Sequence, residues 1–231
     1  MTGALIAAQP DAAIVFRSVN PRTDGPFVEG LRESGYRLIR SRRVYLLDTV
    51  RGDHRRHDNF LIDEHLLARS PYAVLSGDRV LLAYTDRMAA LYRDLYLDKY
   101  TRRNPQLNER FFSLTVGERF LSYRALEKDG RVDGFIAHFV RDGVMTAAVL
   151  GYDQRLPRKL GLSGQLYAIV VREATKQQLV LNLSGGAARF KEFRGALPEE
   201  EYGAIYDRHL PPSRRFAWTC LAHATWLWSR L

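Results

Sequence analysis

The chain has 231 residues, 46% apolar and 26% charged, which is ordinary for a folded domain and excludes wholesale disorder. Its formal net charge of +9 favours anionic partners. Only five of the 35 basic residues are lysines (Lys99, Lys128, Lys159, Lys176 and Lys191), however, and the arginines are spread along the chain, so the charge alone does not imply specific nucleic-acid contact.

No run of 18 apolar residues predicts a transmembrane helix, and residues 3–8 are too short and too uncharged in front for a signal peptide. Cys220 is the only cysteine, which excludes an internal disulfide. Its apolar surroundings predict a buried, inert thiol, and a cytoplasmic location is expected.

Residues 12–19 are β-rich and bounded by proline turns, which predicts a strand. Thr23 or Asp24 can cap a short helix over 25–34, and Gly35 ends it. Residues 36–48 alternate as strand. The polar stretch 49–60 reads as a loop and a domain boundary. Its His54 and His57, with Asp53 and Asp58, have the residue types of a metal site, but three arginines within the stretch oppose a cation, and no metal is expected.

A helix is predicted over 86–103, with Tyr92, Tyr96 and Tyr100 at helical spacing, and a second over 106–115. Strands over 119–126, 133–140 and 144–152 follow, joined by Asp-Gly pairs at 129–130 and 142–143 that signal hairpins. His138 alternates within the second of these and reads as a satisfied core histidine. Next come a loop over 153–163, a helix over 164–177, a strand over 179–183, and a glycine turn opening a helix through Lys191. Helices over 198–208 and 213–231 complete the expectation, which leaves a chain of mixed α/β class.

Two segments carry candidate chemistry. Arg158-x-x-Gly161-x-Ser163-Gly164 places glycines and a basic side chain between a strand and a helix, where unpaired backbone N–H groups can meet phosphates. The alternative is a plain surface turn. The stretch from Asn182 through Phe190-Lys191 to Arg194-Gly195 puts a lysine after a glycine-rich strand end, where it can stabilise a developing oxyanion or bind a carboxylate or phosphate.

The first segment resembles the coenzyme A loop of GNAT (N-acetyltransferase-like) enzymes. The second, with Tyr202 and Tyr206-Asp207-Arg208-His209, resembles the BioF2-like and CelD/BcsL-like branch related to the Fem peptidyltransferases. The resemblance covers about 86–231. It implies a mixed, mostly antiparallel sheet flanked by helices. It also implies an acyltransferase moving an acyl group from acyl-CoA or a carrier-protein thioester, used as co-substrate, to a small amine.

On that resemblance Lys191, Tyr152 and Tyr206 are the catalytic candidates, with Tyr167 and Tyr202 as further proton donors. Arg158, Gly161, Ser163, Gly164 and Asn182 would hold the donor. Phe190, Arg194 and His209 would line the acceptor site, with Arg194 alternatively pairing with Glu192 or Glu199. A Fem-type transferase using aminoacyl-tRNA is the first alternative and a non-catalytic binding module the second; tRNA is not favoured as a partner and no membrane insertion is expected. Residues 1–60 read as the back end of a first GNAT-like repeat and 61–231 as the complete domain. The apolar strand residues within 12–48 point to a homodimer that would cover them.

Overall fold

The computed structural model describes residues 1–77 and 81–228, with side chains through Thr225. Its elements are α1 (Thr2–Ala8), β1 (Ile14–Val19), α2 (Gly25–Glu33), β2 (Arg37–Asp48), α3 (Asp58–Ala68), β3 (Ala73–Leu75), α4 (Thr85–Tyr92, continued by π-helical turns over Arg93–Tyr100) and α5 (Glu109–Gly117). Then come β4 (Ser122–Lys128), β5 (Arg131–Arg141), β6 (Val144–Tyr152), α6 (Leu162–Lys176), β7 (Val180–Asn182), α7 (Ala188–Glu192), β8 (Leu197–Tyr206) and α8 (Pro212–Trp228). The last three residues of the helix predicted over 213–231 lie outside the described residues.

Two compact units divide the chain: Tyr45–Leu197, here the central unit, and Met1–Val44 with Pro198–Leu231, the terminal unit. This division falls at Val44/Tyr45, ahead of the polar stretch 49–60. That stretch holds a short 3-10 turn, Asp53–Arg56, and the start of α3.

In the central unit the strand order is β2-β7-β6-β5-β4-β3. The β3–β4–β5–β6 pairs are antiparallel, as is β2 with β7, whereas β6 and β7 are parallel. Both Asp-Gly hairpins form, with Asp129, Gly130, Asp142 and Gly143 all at positive φ, a conformation that Asp and Gly tolerate best.

Strand alternation then sorts the core into two layers. Leu126, Ile136 and Met145 pack with Leu166, Val170 and Ala174 of α6. Ala125, Phe135, Ala137 and Val149 pack with Met88 and Leu91 of α4 and Phe112 and Val116 of α5. Gly151 is needed on β6 because a Cβ there would press on Phe135 and on the backbone of Leu91, at 2.7 and 2.9 Å. His138 is buried as expected, and its Nδ1 has no hydrogen-bond partner among the described residues.

In the terminal unit β1-β8-β2 form the sheet, covered by a small cluster of Val19, Val28, Leu31, Tyr36 and Ala204. Residues 12–48 show the strand–helix–strand order, and β1 pairs with β8 of the same chain, Ile14 opposite Tyr206. Of the apolar strand residues that prompted the dimer expectation, Val44 and Leu46 are buried and Ile14, Phe16 and Leu38 half-buried within the chain.

The helix predicted over 198–208 is instead strand β8. Its Pro-Glu-Glu-Glu start looks like a helix N-terminus in isolation. In the fold Glu199 pairs with Arg22, Glu200 with Arg40 and Arg43, and Glu201 with Arg42, so tertiary pairing overrides local propensity.

Candidate functional site

The candidate site lies in the central unit where β6 parts from β7. The two strands pair only at Val144–Thr146 with Val180–Asn182. Beyond Thr146, β6 keeps its bonds to β5 and leaves its other edge open as far as Tyr152. Ala148 is an extra residue in that stretch: Ala137 pairs with Val149 and His138 with Ala147, so a β-bulge drops Ala148 from the ladder. Parallel strands that diverge beside a bulge form a cleft with backbone polar groups along one wall.

The opposite wall is the turn after β7. Asn182 Oδ1 accepts from Ser184 N at 2.8 Å, which bends the chain out of the strand. Ser184 and Ala187 sit at φ 61° and 48°, conformations costly for residues with a Cβ. Lys191 stands behind this turn. It is buried, its Nζ donates to the carbonyls of Ser184 (3.0 Å) and Gly185 (2.8 Å), and it lies 5.3 Å from the centre of the Tyr45 ring. A buried ammonium with ligands on two successive carbonyls is a brace on a strained turn, which a surface lysine could not be.

Arg194 is also buried, but its partner is Asp63 of α3, with Nη2 on Oδ1 at 3.0 Å and Nε on Oδ2. Neither Glu192 nor Glu199 takes it, which corrects that expectation. The pair is aromatic-lined: the guanidinium lies 3.6 Å from the Phe190 ring centre and 5.7 Å from that of Tyr167. Gly164 is required because a Cβ there would collide with the Asp63 carboxylate. Burial pushes the Tyr167 phenol well up, Arg194 opposes that shift and Asp63 adds to it, so Tyr167 is a packed hydroxyl that stays protonated.

The predicted donor loop forms a short 3-10 turn, Arg158–Leu160, followed by Gly161 at φ 61° as the residue before α6. Arg158 is exposed and Ser163 half-buried. Gly161 faces α3, where a Cβ would approach Leu66 Cδ1 at 2.6 Å. Tyr152 closes β6 at the open end of the cleft, half-buried. Burial raises its phenol, Tyr100 adds to the rise and Arg158 opposes it.

Lys191, Tyr152, Arg158, Gly161, Ser163, Gly164, Asn182, Phe190 and Arg194 thus all belong to the central unit. Tyr206 and His209 belong to the terminal unit, where their rings stack at 5.8 Å and His209 Nε2 lies 2.9 Å from the Ala12 carbonyl oxygen.

Two features escaped the sequence reading. One is the bulge at Ala148, for which two alanines in a strand give no signal. The other is Asp63, whose mid-helix position becomes meaningful only beside Arg194. A further network fixes the end of β6: Asp153 is buried and receives Arg87 (2.8 Å), Arg131 and Arg155 (3.0 Å), while Asp133, bulged out of β5, takes the Tyr72 hydroxyl at 3.0 Å. Hydrogen bonds from Arg155 hold the Asp153 carboxyl far below the usual range; burial opposes them and Arg87 supports them.

No family model matches the chain, and no curated protein matches it. Solved structures do. FemX superposes with a TM-score of 0.67 at 8% identity, over 89% of this chain and 74% of its own. The C-terminal domain of a putative lysylphosphatidylglycerol synthetase from Agrobacterium fabrum gives 0.63 at 14%, over 88% and 71%. L-PGS from Bacillus licheniformis gives 0.60 at 13%, over 95% and 76%. With its mostly antiparallel sheet and flanking helices, this chain shares the fold of FemX and of these lysylphosphatidylglycerol synthetase structures.

Proposed function

We propose that this chain transfers an acyl group from an activated thioester or ester donor, bound along the open edge of β6, to a nucleophilic amine. The observation that carries the reading is the divergence of β6 from β7 beyond Thr146, with Ala148 bulged out of the ladder beside it.

Such transfer needs positioning, an oxyanion site and a proton path, and little else. The acceptor nitrogen attacks the donor carbonyl carbon, and the oxygen gains negative charge. Backbone N–H groups of β6 at the bulge are the donors proposed for that oxygen. The C–S or C–O bond then breaks, the leaving group takes a proton from the Tyr152 hydroxyl, and the acceptor nitrogen's proton restores it. Tyr152 suits the role by its place at the end of β6, where its phenol carries a proton at neutral pH. Lys191 acts by holding the facing turn in shape.

For the donor, the basic glycine turn before α6 supports acyl-CoA or a carrier thioester, with Arg158 on the phosphates. An aminoacyl-tRNA donor is the second reading. The name lysylphosphatidylglycerol synthetase, carried by a protein of the same fold, describes a lysyl group placed on a lipid and favours it.

Calorimetry with a non-hydrolysable acyl-CoA analogue and with aminoacyl-tRNA separates the two. Saturable binding of the first, weakened in Arg158→Gln, assigns the thioester donor; binding of the second alone assigns the aminoacyl ester. Binding of neither removes the transferase reading. Gly161→Asp is a poor probe, since a side chain at φ 61° against Leu66 disturbs folding before it disturbs binding.

A further inference from the structure

Helix α8 has a side that its own unit leaves uncovered. Phe216 is 69% exposed and Leu221 45%, and Ala217, Cys220 and Ala224 on successive turns are exposed with them. Cys220 is thus corrected from a buried thiol to an exposed one. The other side of the helix is half-buried through Trp218, Thr219, Ala222 and Thr225, with Arg37 donating to the Thr219 hydroxyl at 3.2 Å. Helical spacing therefore gives α8 a packed side and an apolar side without a partner in the described residues.

Helix α1 adjoins its start. Arg214 donates to the Asp11 carbonyl at 2.6 Å and lies 3.6 Å from the Asp11 carboxylate, just after α1. The sequence of α1, Thr-Gly-Ala-Leu-Ile-Ala-Ala, has no charged side chain, and the helix buries none of its residues. Met1 before it is 73% exposed and Leu5 within it 39%.

Charge narrows the choice of partner. From Arg208 to the last residue the sequence holds four arginines (Arg208, Arg214, Arg215 and Arg230) and no aspartate or glutamate. Exposed Phe216 and Leu221, with the exposed Arg214 and Arg215 in the turn before them, match a surface that is negative outside and apolar just beneath, the headgroup boundary of an anionic bilayer. RNA matches less well, because Ala217, Cys220, Leu221 and Ala224 can make no phosphate contact. Among the described residues no helix is long and apolar enough to cross a membrane.

We infer that α8, with α1 beside it, docks this chain on the surface of an anionic lipid bilayer, lying in the interface without spanning it. The inference uses no step of acyl transfer.

The chain supplies its own probe, since all three tryptophans, Trp218, Trp226 and Trp228, fall within α8. Intact protein is titrated with phosphatidylcholine vesicles, with and without 30 mol% phosphatidylglycerol (about one lipid in three, to set a strongly negative surface). Expected are a blue shift of tryptophan emission and co-sedimentation with the anionic vesicles, weakened about tenfold on neutral ones. Phe216→Ser/Leu221→Ser should lose about as much while melting like the parent, because both side chains are exposed.

Absence of binding to anionic vesicles overturns the inference, as does undiminished binding by the double variant. A blue shift produced by protein concentration alone would assign the face to a second copy, and one produced by an RNA duplex but not by vesicles would assign it to nucleic acid; either result also overturns it. Transfer activity does not enter the readout, so failure here leaves the reading of the cleft standing.

Discussion

The two units solve the same problem, pairing many arginines, with different degrees of burial. In the central unit the carboxylates are deep: Asp63 holds Arg194 between aromatic rings, and Asp153 gathers three guanidinium groups at the end of β6. In the terminal unit the pairs form a ladder along β2 and β8, in which the partly covered Glu200 meets Arg40 and the more exposed Arg43, while Arg42, about half in water, reaches the buried Glu201. Buried pairs are costly to break, because removing one partner strands the other's charge away from water. Exposed pairs are screened and contribute little each. The contrast teaches where this chain carries its constraint: around the cleft, in positions that fix geometry, and only weakly in the strands outside it.

The largest effect should come from the buried pair. Asp63→Ala leaves Arg194 uncompensated and should cost about 3–5 kcal/mol in chemical denaturation. Asp63→Leu/Arg194→Met should recover most of that loss. If the single variant melts like the parent, the pair is not the constraint described.

Lys191→Met tests the brace. It removes the donor to Ser184 and Gly185 and should slow transfer by one to three decades, about 1.4–4 kcal/mol of activation free energy. Lys191→Arg, which keeps a charge and donors, should restore part of the rate. An unchanged rate in the methionine variant would leave Lys191 with no part in turnover.

Acid should separate the units next. The Asp153 carboxyl is held below its unfolded value, so its contribution is complete above about pH 5 and is lost progressively as pH falls below that. Asp153→Asn should flatten this part of the stability curve. Burial also lowers His54, with Arg55 adding, and His138, with Arg124 adding. The unfolded chain therefore binds protons first, and an earlier loss should begin as pH drops through about 6.5. A flat stability between pH 7 and 5 in urea titrations would contradict that.

Glu200→Gln, at the partly exposed rung of the ladder, keeps an acceptor for Arg40 and should cost about 1 kcal/mol, and less in high salt. A loss as large as that of Asp63→Ala would erase the distinction between the two units.

Much of the order of elements is legible in the amino-acid sequence because its causes are local. Asp-Gly pairs at 129–130 and 142–143 set two hairpins through backbone preference, and glycine and proline mark the ends of α2 and α8. The helix with Tyr92, Tyr96 and Tyr100 declares itself by its period, although the π-helical widening over Arg93–Tyr100 does not. What only the tertiary structure decided depends on partners distant in sequence. Three glutamates became a strand because arginines of β2 and Arg22 were there to meet them. Asp63 became the counter-charge of Arg194 across 131 positions, which in turn demands glycine at 164. Cys220 lies in an apolar run yet faces outward, because hydrophobic pattern shows which side of a helix is apolar but not whether anything covers it. The cleft is shared between sequence and tertiary structure: an element order resembling the GNAT core implies that the third strand of the meander splays from the next one, and the register shows where pairing stops, at Thr146.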